Sequence, residues 1–395
     1  MRIDRMVLQL CQGCRALVHE RRFQTFLAVT QAIADSHRLS VTALGRCIKG
    51  RTFPKHGIKR VDRALSNPRM QRECPVYFSE LAQALIGASR RPVVLVDWTK
   101  AGSNFHALVA AVPVDGRALS IYAEVHPEKK LGNRRVEARF LRALGEILPS
   151  GCRPILVTDA GFRGPFLREL QARGWDFVIR LRSNTRMRPI GQTDWTSVSE
   201  LYSTATSHAR RLGTFELFRT QKRLTTQLVL APRRRHPKKH PWRGRSSGRG
   251  GLCAKTVAGG KEPWLLVTSL NLSAEQIVNI YSKRMQIEET FRDAKNPRFG
   301  WCLRHVRSHS AARLTVLLVF AAIAMAAVVL VGMAAEAAGI RRRYQANTKS
   351  TRVLSLFLLG LEVLRSPRCL SSPKLVRTGL AAIHTLHRSI WTPAI

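Results

Sequence analysis

Acidic side chains are scarce in this chain of 395 residues: 25 Asp and Glu stand against 66 Lys and Arg, a formal charge of +41. Such an excess repels itself unless a polyanion is the usual partner. Nucleic acid is therefore the first expectation and an anionic membrane surface the second. The eight cysteines form no framework. Cys11 and Cys14 make one CxxC, but no second pair lies at zinc-ribbon spacing and no histidine at finger spacing; ordinary thiols are expected, not a structural zinc. The Met-Arg-Ile-Asp start lacks the apolar stretch of a signal peptide, so a reducing cytoplasm is expected. No internal repeat is found, and no G-x-G-x-x-G follows a strand-like run. A disulfide scaffold and a dinucleotide-binding fold are both disfavoured.

What the chain does have is enough apolar material for two or three cored domains: 45% hydrophobic residues, with seven Trp and fifteen Phe. Phe23, Phe26, Leu27, Thr30, Ile33 and Ala34 follow a helical period that Arg38-Leu39-Ser40 interrupts. Ser40 is read as the N-cap of a helix from Val41 to Ile48, and a third helix is expected from Gly57 to Leu65. That third helix carries Lys59, Arg60 and Arg63, which suits a DNA-docking module and equally suits a solvated basic face.

At Arg91 the texture changes. Pro92 to Trp98 is an apolar run containing Asp97, and Pro154 to Asp159 is a second run ending in an acid, as strands buried on both faces do. With strand-like runs at Phe105–Val114, Ala118–Val125 and Trp175–Leu181, and helices through Val136–Leu148 and Pro165–Ala172, the order is βββαβαβ. From about Ser183 to Gly260 the chain is β-rich and polar, and Pro232 to Gly250 holds eight Lys or Arg among Pro, Gly and Ser. That stretch reads as a loop or mobile arm, which suits sequence-independent phosphate contacts and equally suits a loop with no fixed contact. Leu314 to Ala335 is 22 residues without a charge. By length it qualifies as a membrane span, but it is read as the buried central helix of a large domain.

Asp97 and Asp159 are candidates for a magnesium site, because hard cations take oxygen ligands and two carboxylates can share a pair of ions. Read singly, each is as well explained as a turn or cap residue. A long helix from Ser273 to Lys295 supplies a third acid. On it Tyr281, Arg284, Glu288 and Lys295 fall near 0°, 300°, 340° and 320°, inside an arc of roughly 60°, while Glu289 falls near 80°. One stripe thus carries a carboxylate among a phenol, a guanidinium and an ammonium, which suits phosphate binding around a metal and also an ordinary salt-bridged helix face.

The spacing Tyr281-x2-Arg284-x3-Glu288-x6-Lys295 resembles, gap for gap, the Y-R-E-K signature of bacterial insertion-sequence DDE transposases of family four. The resemblance implies an α/β fold with a ribonuclease-H-like catalytic core and an inserted β-rich domain. It also implies a catalytic and metal-binding triad of Asp97, Asp159 and Glu288 holding two Mg²⁺ ions, with Mn²⁺ able to substitute. By the same resemblance Tyr281, Arg284 and Lys295 contact DNA phosphates, and Trp264 accommodates a base flipped from the transposon end. Met285 stands where some relatives carry a further tryptophan, so base-holding falls to Trp264. Arg180, Arg182, Lys59 and Arg60 are added as candidate DNA contacts.

The domains expected are a helical DNA-binding region over 1–88, catalytic core over 89–182 and 263–312, a β-rich insertion over 183–262, and a helical region over 313–395. The partners implied are double-stranded DNA, as inverted-repeat ends and target, and a second copy of the chain in a homodimer; no membrane is expected. The activity implied is cut-and-paste transposition through a DNA hairpin, in the bacterial cytoplasm. The alternatives weighed are a nuclease of the same fold, a DNA-binding regulator or decayed transposase without catalysis, and a membrane-surface protein.

Overall fold

The computed structural model describes residues 3–36, 38–220, 222–232, 262–296, 300–303, 306–308 and 310–366, with Thr378 and Ala381. The basic run from Arg233 to Gly250 lies outside the described residues. The chain divides into two compact units, one of residues 1–155 with 283–395 and the other of residues 156–282.

The first unit opens with six helices: α1 (Ile3–Leu10), α2 (Cys14–Leu17), α3 (Glu20–Ser36), α4 (Val41–Cys47), α5 (Pro54–Ser66) and α6 (Pro68–Ile86). Ser40 caps α4 as expected, its hydroxyl accepting from the Ala43 amide at 3.2 Å. The six are followed by β1 (Val93–Lys100), β2 (Phe105–Val114), β3 (Arg117–Pro127) and α7 (Arg134–Ile147). The three strands form successive antiparallel pairs, β1 with β2 and β2 with β3. Their near-continuous burial explains the uninterrupted apolar runs.

The next strand, β4 (Ile155–Thr158), crosses into the second unit. There follow α8 (Gly164–Ala172), β5 (Asp176–Arg180), β6 (Arg186–Pro189), β7 (Thr196–Ser197), β8 (Arg210–Leu217), β9 (Leu224–Leu230), β10 (Leu265–Thr268) and α9 (Ala274–Ser282). Within this unit β10 lies antiparallel between β5 and β9, and β9 continues through β8 to β6 and β7. The order β1β2β3α7β4α8β5 is the expected βββαβαβ.

The chain returns to the first unit with α10 (Met285–Lys295), α11 (Ala311–Ala337) and α12 (Leu356–Arg365). α11 is the one helix among the described residues long and apolar enough to cross a membrane, and it is buried within its unit. It packs against α1, α3, α5, α6, α12 and β3, so its all-round apolar surface is matched by protein on every side. Phe320 of α11 meets Phe26 of α3 edge-on at 5.4 Å, and Phe26 stacks on Tyr77 of α6 at 4.0 Å. α12 crosses α11 at two glycines. A Cβ at Gly332 would lie 1.9 Å from the Leu356 carbonyl oxygen, and one at Gly360 would lie 2.0 Å from that of Val328. Both glycines are needed because backbone meets backbone there.

Candidate active site

β1 brings Asp97 to the neighbourhood of α10. The strand is placed by its pairing, with Asp97 opposite Val109 of β2. The Asp97 carboxylate accepts a hydrogen bond from the Trp98 amide at 2.8 Å, which fixes one oxygen close to its own backbone. Its other oxygen lies 3.7 Å from a terminal nitrogen of Arg284. The same guanidinium donates to Glu288 one turn further along, at 2.5 Å. Arg284 therefore sits between two carboxylates, with its side chain only 13% exposed. Asp97, Glu288 and Lys295 line one open groove of about 460 Å³, with Trp98 and Phe291 among its walls.

α10 is held on β3 by polar contacts that sequence patterning does not reveal. The buried Thr290 hydroxyl accepts from the Ala118 amide at 2.8 Å and lies 2.9 Å from the Ala118 carbonyl oxygen, within donating distance. A second tie is the ion pair of Asp293 with Arg117 at 2.6 Å. Burial pushes the Asp293 carboxyl up from its ordinary value, and Arg117 opposes that shift. Thr290 is two residues from Glu288, so this double hydrogen bond fixes the segment presenting the acid. Burial also holds His106 below its ordinary value, with Lys100 and Lys295 acting in the same direction and Glu128 against it.

The single helix expected from Ser273 to Lys295 is two helices. α9 ends at Ser282 and α10 starts at Met285. The Ser282 hydroxyl donates to the Asn279 carbonyl at 2.7 Å, and the Gln286 and Ile287 amides turn to Lys283 and Arg284, three residues back. This tighter turn replaces the regular ladder. Tyr281 thus counts with the second unit, and Arg284, Glu288 and Lys295 with the first. Burial lowers the pKa of the intervening Lys283.

In the second unit, Asp159 follows β4 and closes an Asx turn, its carboxylate accepting from the Gly161 amide at 2.7 Å. Arg182 braces that turn by donating to the Ala160 carbonyl at 2.6 Å. Trp264 is half-buried and meets the buried Tyr281 edge-on at 4.8 Å. Arg180 pairs with Glu262 at 3.4 Å. In the first unit, Lys59 is exposed on α5, whereas the Arg60 guanidinium turns inward to the Thr25 hydroxyl at 3.2 Å.

Among the described residues, no three His, Cys, Asp or Glu side chains are grouped so as to hold a metal ion. Asp97 and Glu288 nonetheless supply hard oxygen donors to one groove, and an organic cation, Arg284, already bridges them. Their chemistry fits a divalent ion.

Over residues 88–325 the sequence matches the model of the transposase DDE domain. The chain belongs to the transposase DDE domain family. Comparison with curated proteins finds no match. The matched stretch of this transposase contains Asp97, Asp159, Glu288 and all four residues of the Tyr281–Lys295 motif. Family membership makes DNA its partner, and the α/β architecture is consistent with a ribonuclease-H-like fold.

Proposed function

We propose that this transposase performs cut-and-paste transposition by divalent-metal-dependent phosphodiester hydrolysis and strand transfer at inverted-repeat ends, with a DNA hairpin between the two cleavages. The observation that carries the reading is the joining of Asp97 and Glu288 through Arg284 in a groove that also holds Lys295. Asp97, Asp159 and Glu288 are assigned as the carboxylates that hold two Mg²⁺ ions. Support for Asp159 is its place after an apolar strand inside the matched family region. The ions, when bound, supply a nucleophile at neutral pH and charge stabilisation at the leaving oxygen.

The chain's own groups divide the remaining work. Arg284 is a fork of donors suited to a phosphate oxygen once its carboxylate partners are otherwise neutralised. Lys295 adds a point charge in the same groove. Tyr281 and Trp264 form an edge-on aromatic pair, assigned to phosphate contact and to accepting an unstacked base, at a cost of about a few kcal/mol for the unstacking. Lys59 on the exposed side of α5, with Arg180 and Arg182, is assigned to backbone contacts, and the active species on DNA is assigned as a homodimer.

The test is cleavage of end-containing duplex DNA with Mg²⁺ by the wild type and by Asp97→Asn and Glu288→Gln. Loss of cleavage with retained end binding is expected in both variants. Undiminished cleavage by either variant refutes the assigned acids.

A further inference from the structure

A second groove of about 610 Å³ opens where β3 passes into α7. Its walls carry His126, Lys130, Arg134, Arg135 and Arg139, with no carboxylate among them. Lys130, Arg134 and Arg135 are exposed, and their side chains make no hydrogen bond or ion pair among the described residues. Of the acids nearby, Glu128 is exposed without an ion-pair partner among the described residues and does not line the groove, while Glu124 and Glu137 are already engaged. Glu124 is held by Tyr122 at 2.6 Å, His126 at 3.0 Å and Arg139 at 2.9 Å, and Glu137 accepts from the Trp98 indole at 3.3 Å. One cation, Arg139, is therefore fixed in place while three others project unneutralised. The start of α7 adds its positive dipole end to the same opening.

The position of this groove gives it meaning. Trp98 lines the Asp97–Glu288 groove, and its ring meets that of His126 edge-on at 5.8 Å. His126 lines the basic groove. The two openings thus adjoin across one aromatic pair, all within the first unit. A phosphodiester chain passing the acidic groove meets, on the far side of Trp98, a concave surface with several unpaired cations.

We infer that the Lys130–Arg134–Arg135–Arg139 groove binds the backbone phosphates of the duplex segment that continues beyond the phosphate lying at Asp97 and Glu288. The inference rests on the proposed transposition chemistry only for which phosphate lies at the acids; the anionic ligand and its path past Trp98 follow from the groove itself. Guanidinium and ammonium groups without fixed geometry toward bases read charge and not sequence, so the contribution is sequence-independent.

The experiment compares the full-length wild type with the triple variant Lys130→Gln/Arg134→Gln/Arg135→Gln. Two duplexes are used, one ending at the scissile phosphate and one continuing about ten base pairs past it, each over a range of salt concentrations. The wild type is expected to bind the longer duplex more tightly, with a steeper salt dependence. In the variant this length-dependent gain collapses, and the slope of log K against log salt for the longer duplex becomes shallower by about 2 to 3, as loss of three phosphate contacts requires. An unchanged melting temperature shows that the variant is folded; the three side chains are exposed and unbonded. A variant that keeps both the gain and the slope overturns the inference. Metal-dependent cleavage by the wild type is measured separately, so a wild type that does not cleave, with a variant that still loses the length gain, refutes the proposed catalysis and leaves the groove standing.

Discussion

Arg284 and Asp97 approach to 3.7 Å from distant parts of the chain, and the same guanidinium holds Glu288 at 2.5 Å. One internal cation thereby offsets part of the charge of the two acids before any ion arrives. At this separation a full charge matters: at an effective dielectric constant of 20 two unit charges 4 Å apart interact by about 4 kcal/mol.

Replacing that cation should therefore favour a metal. Arg284→Gln is expected to bind Mn²⁺ about tenfold more tightly in the absence of DNA, measured by titration calorimetry, while DNA cleavage falls. Equal or weaker Mn²⁺ binding would show that the arginine does not compete for these carboxylates.

The hold of Thr290 on Ala118 predicts a positioning effect. Thr290→Val preserves shape but leaves two buried backbone groups without a partner. Stability should drop by about 1–3 kcal/mol in urea unfolding. Cleavage should decline at temperatures where the variant is still folded, whereas Thr290→Ser should restore both. A Val variant as active and as stable as the wild type would remove Thr290 from the support of Glu288.

At the crossing of α11 and α12, Gly332→Ala and Gly360→Ala each push a methyl group into a carbonyl of the partner helix. Overpacking of this kind costs about 1–3 kcal/mol, read as a lower urea midpoint for either variant. Because both methyl groups act on one crossing, the double variant should depart from the sum of the singles.

Acid should loosen the Glu124 cluster in a defined window. Although burial alone would raise its pKa, bonds from His126, Tyr122 and Arg139 take Glu124 down from 4.5 to about 2. A depressed carboxyl contributes stability that is fully present above its unfolded value and lost as pH falls through the folded one. The stability difference between the wild type and Glu124→Gln should thus be flat above about pH 4.5 and shrink toward pH 2. A difference that stays constant across that window would mean that the three bonds do not favour the ionised form.

Much of the framework can be read directly from the chain. Apolar runs ending near Asp97 and Asp159 become β1 and β4, Ser40 caps α4, and the charge-free stretch from Leu314 becomes a buried helix. These are local signals, set by burial period and capping. α6 escapes such reading because Pro75 lies inside it and breaks the expected pattern. The interruption between Ser282 and Met285 escapes it because nothing in residue type forbids helix there; the turn is made by one serine hydroxyl and two short-range bonds. Arg60 looks like a phosphate contact on a helical wheel, but its guanidinium reaches Thr25 on another helix. Thr290 and Arg117 gain their roles only from tertiary contact with β3 and α10, and a polar residue on a helix gives no sign of such a partner.

The burial of α11 beneath the amino-terminal helices has a temporal consequence. Ribosomes make α3 and α6 long before they make Phe320, whose ring closes on Phe26. At about 5–20 residues per second, that interval lasts roughly 15 to 60 seconds. During it the faces of α3 and α6 that pack on α11 stay uncovered, although α6 already meets β3 and α7. A nascent or truncated chain that stops short of Ala311 is left with their greasy undersides open to chaperones and proteases, so maturation of the leading segment waits for the trailing one.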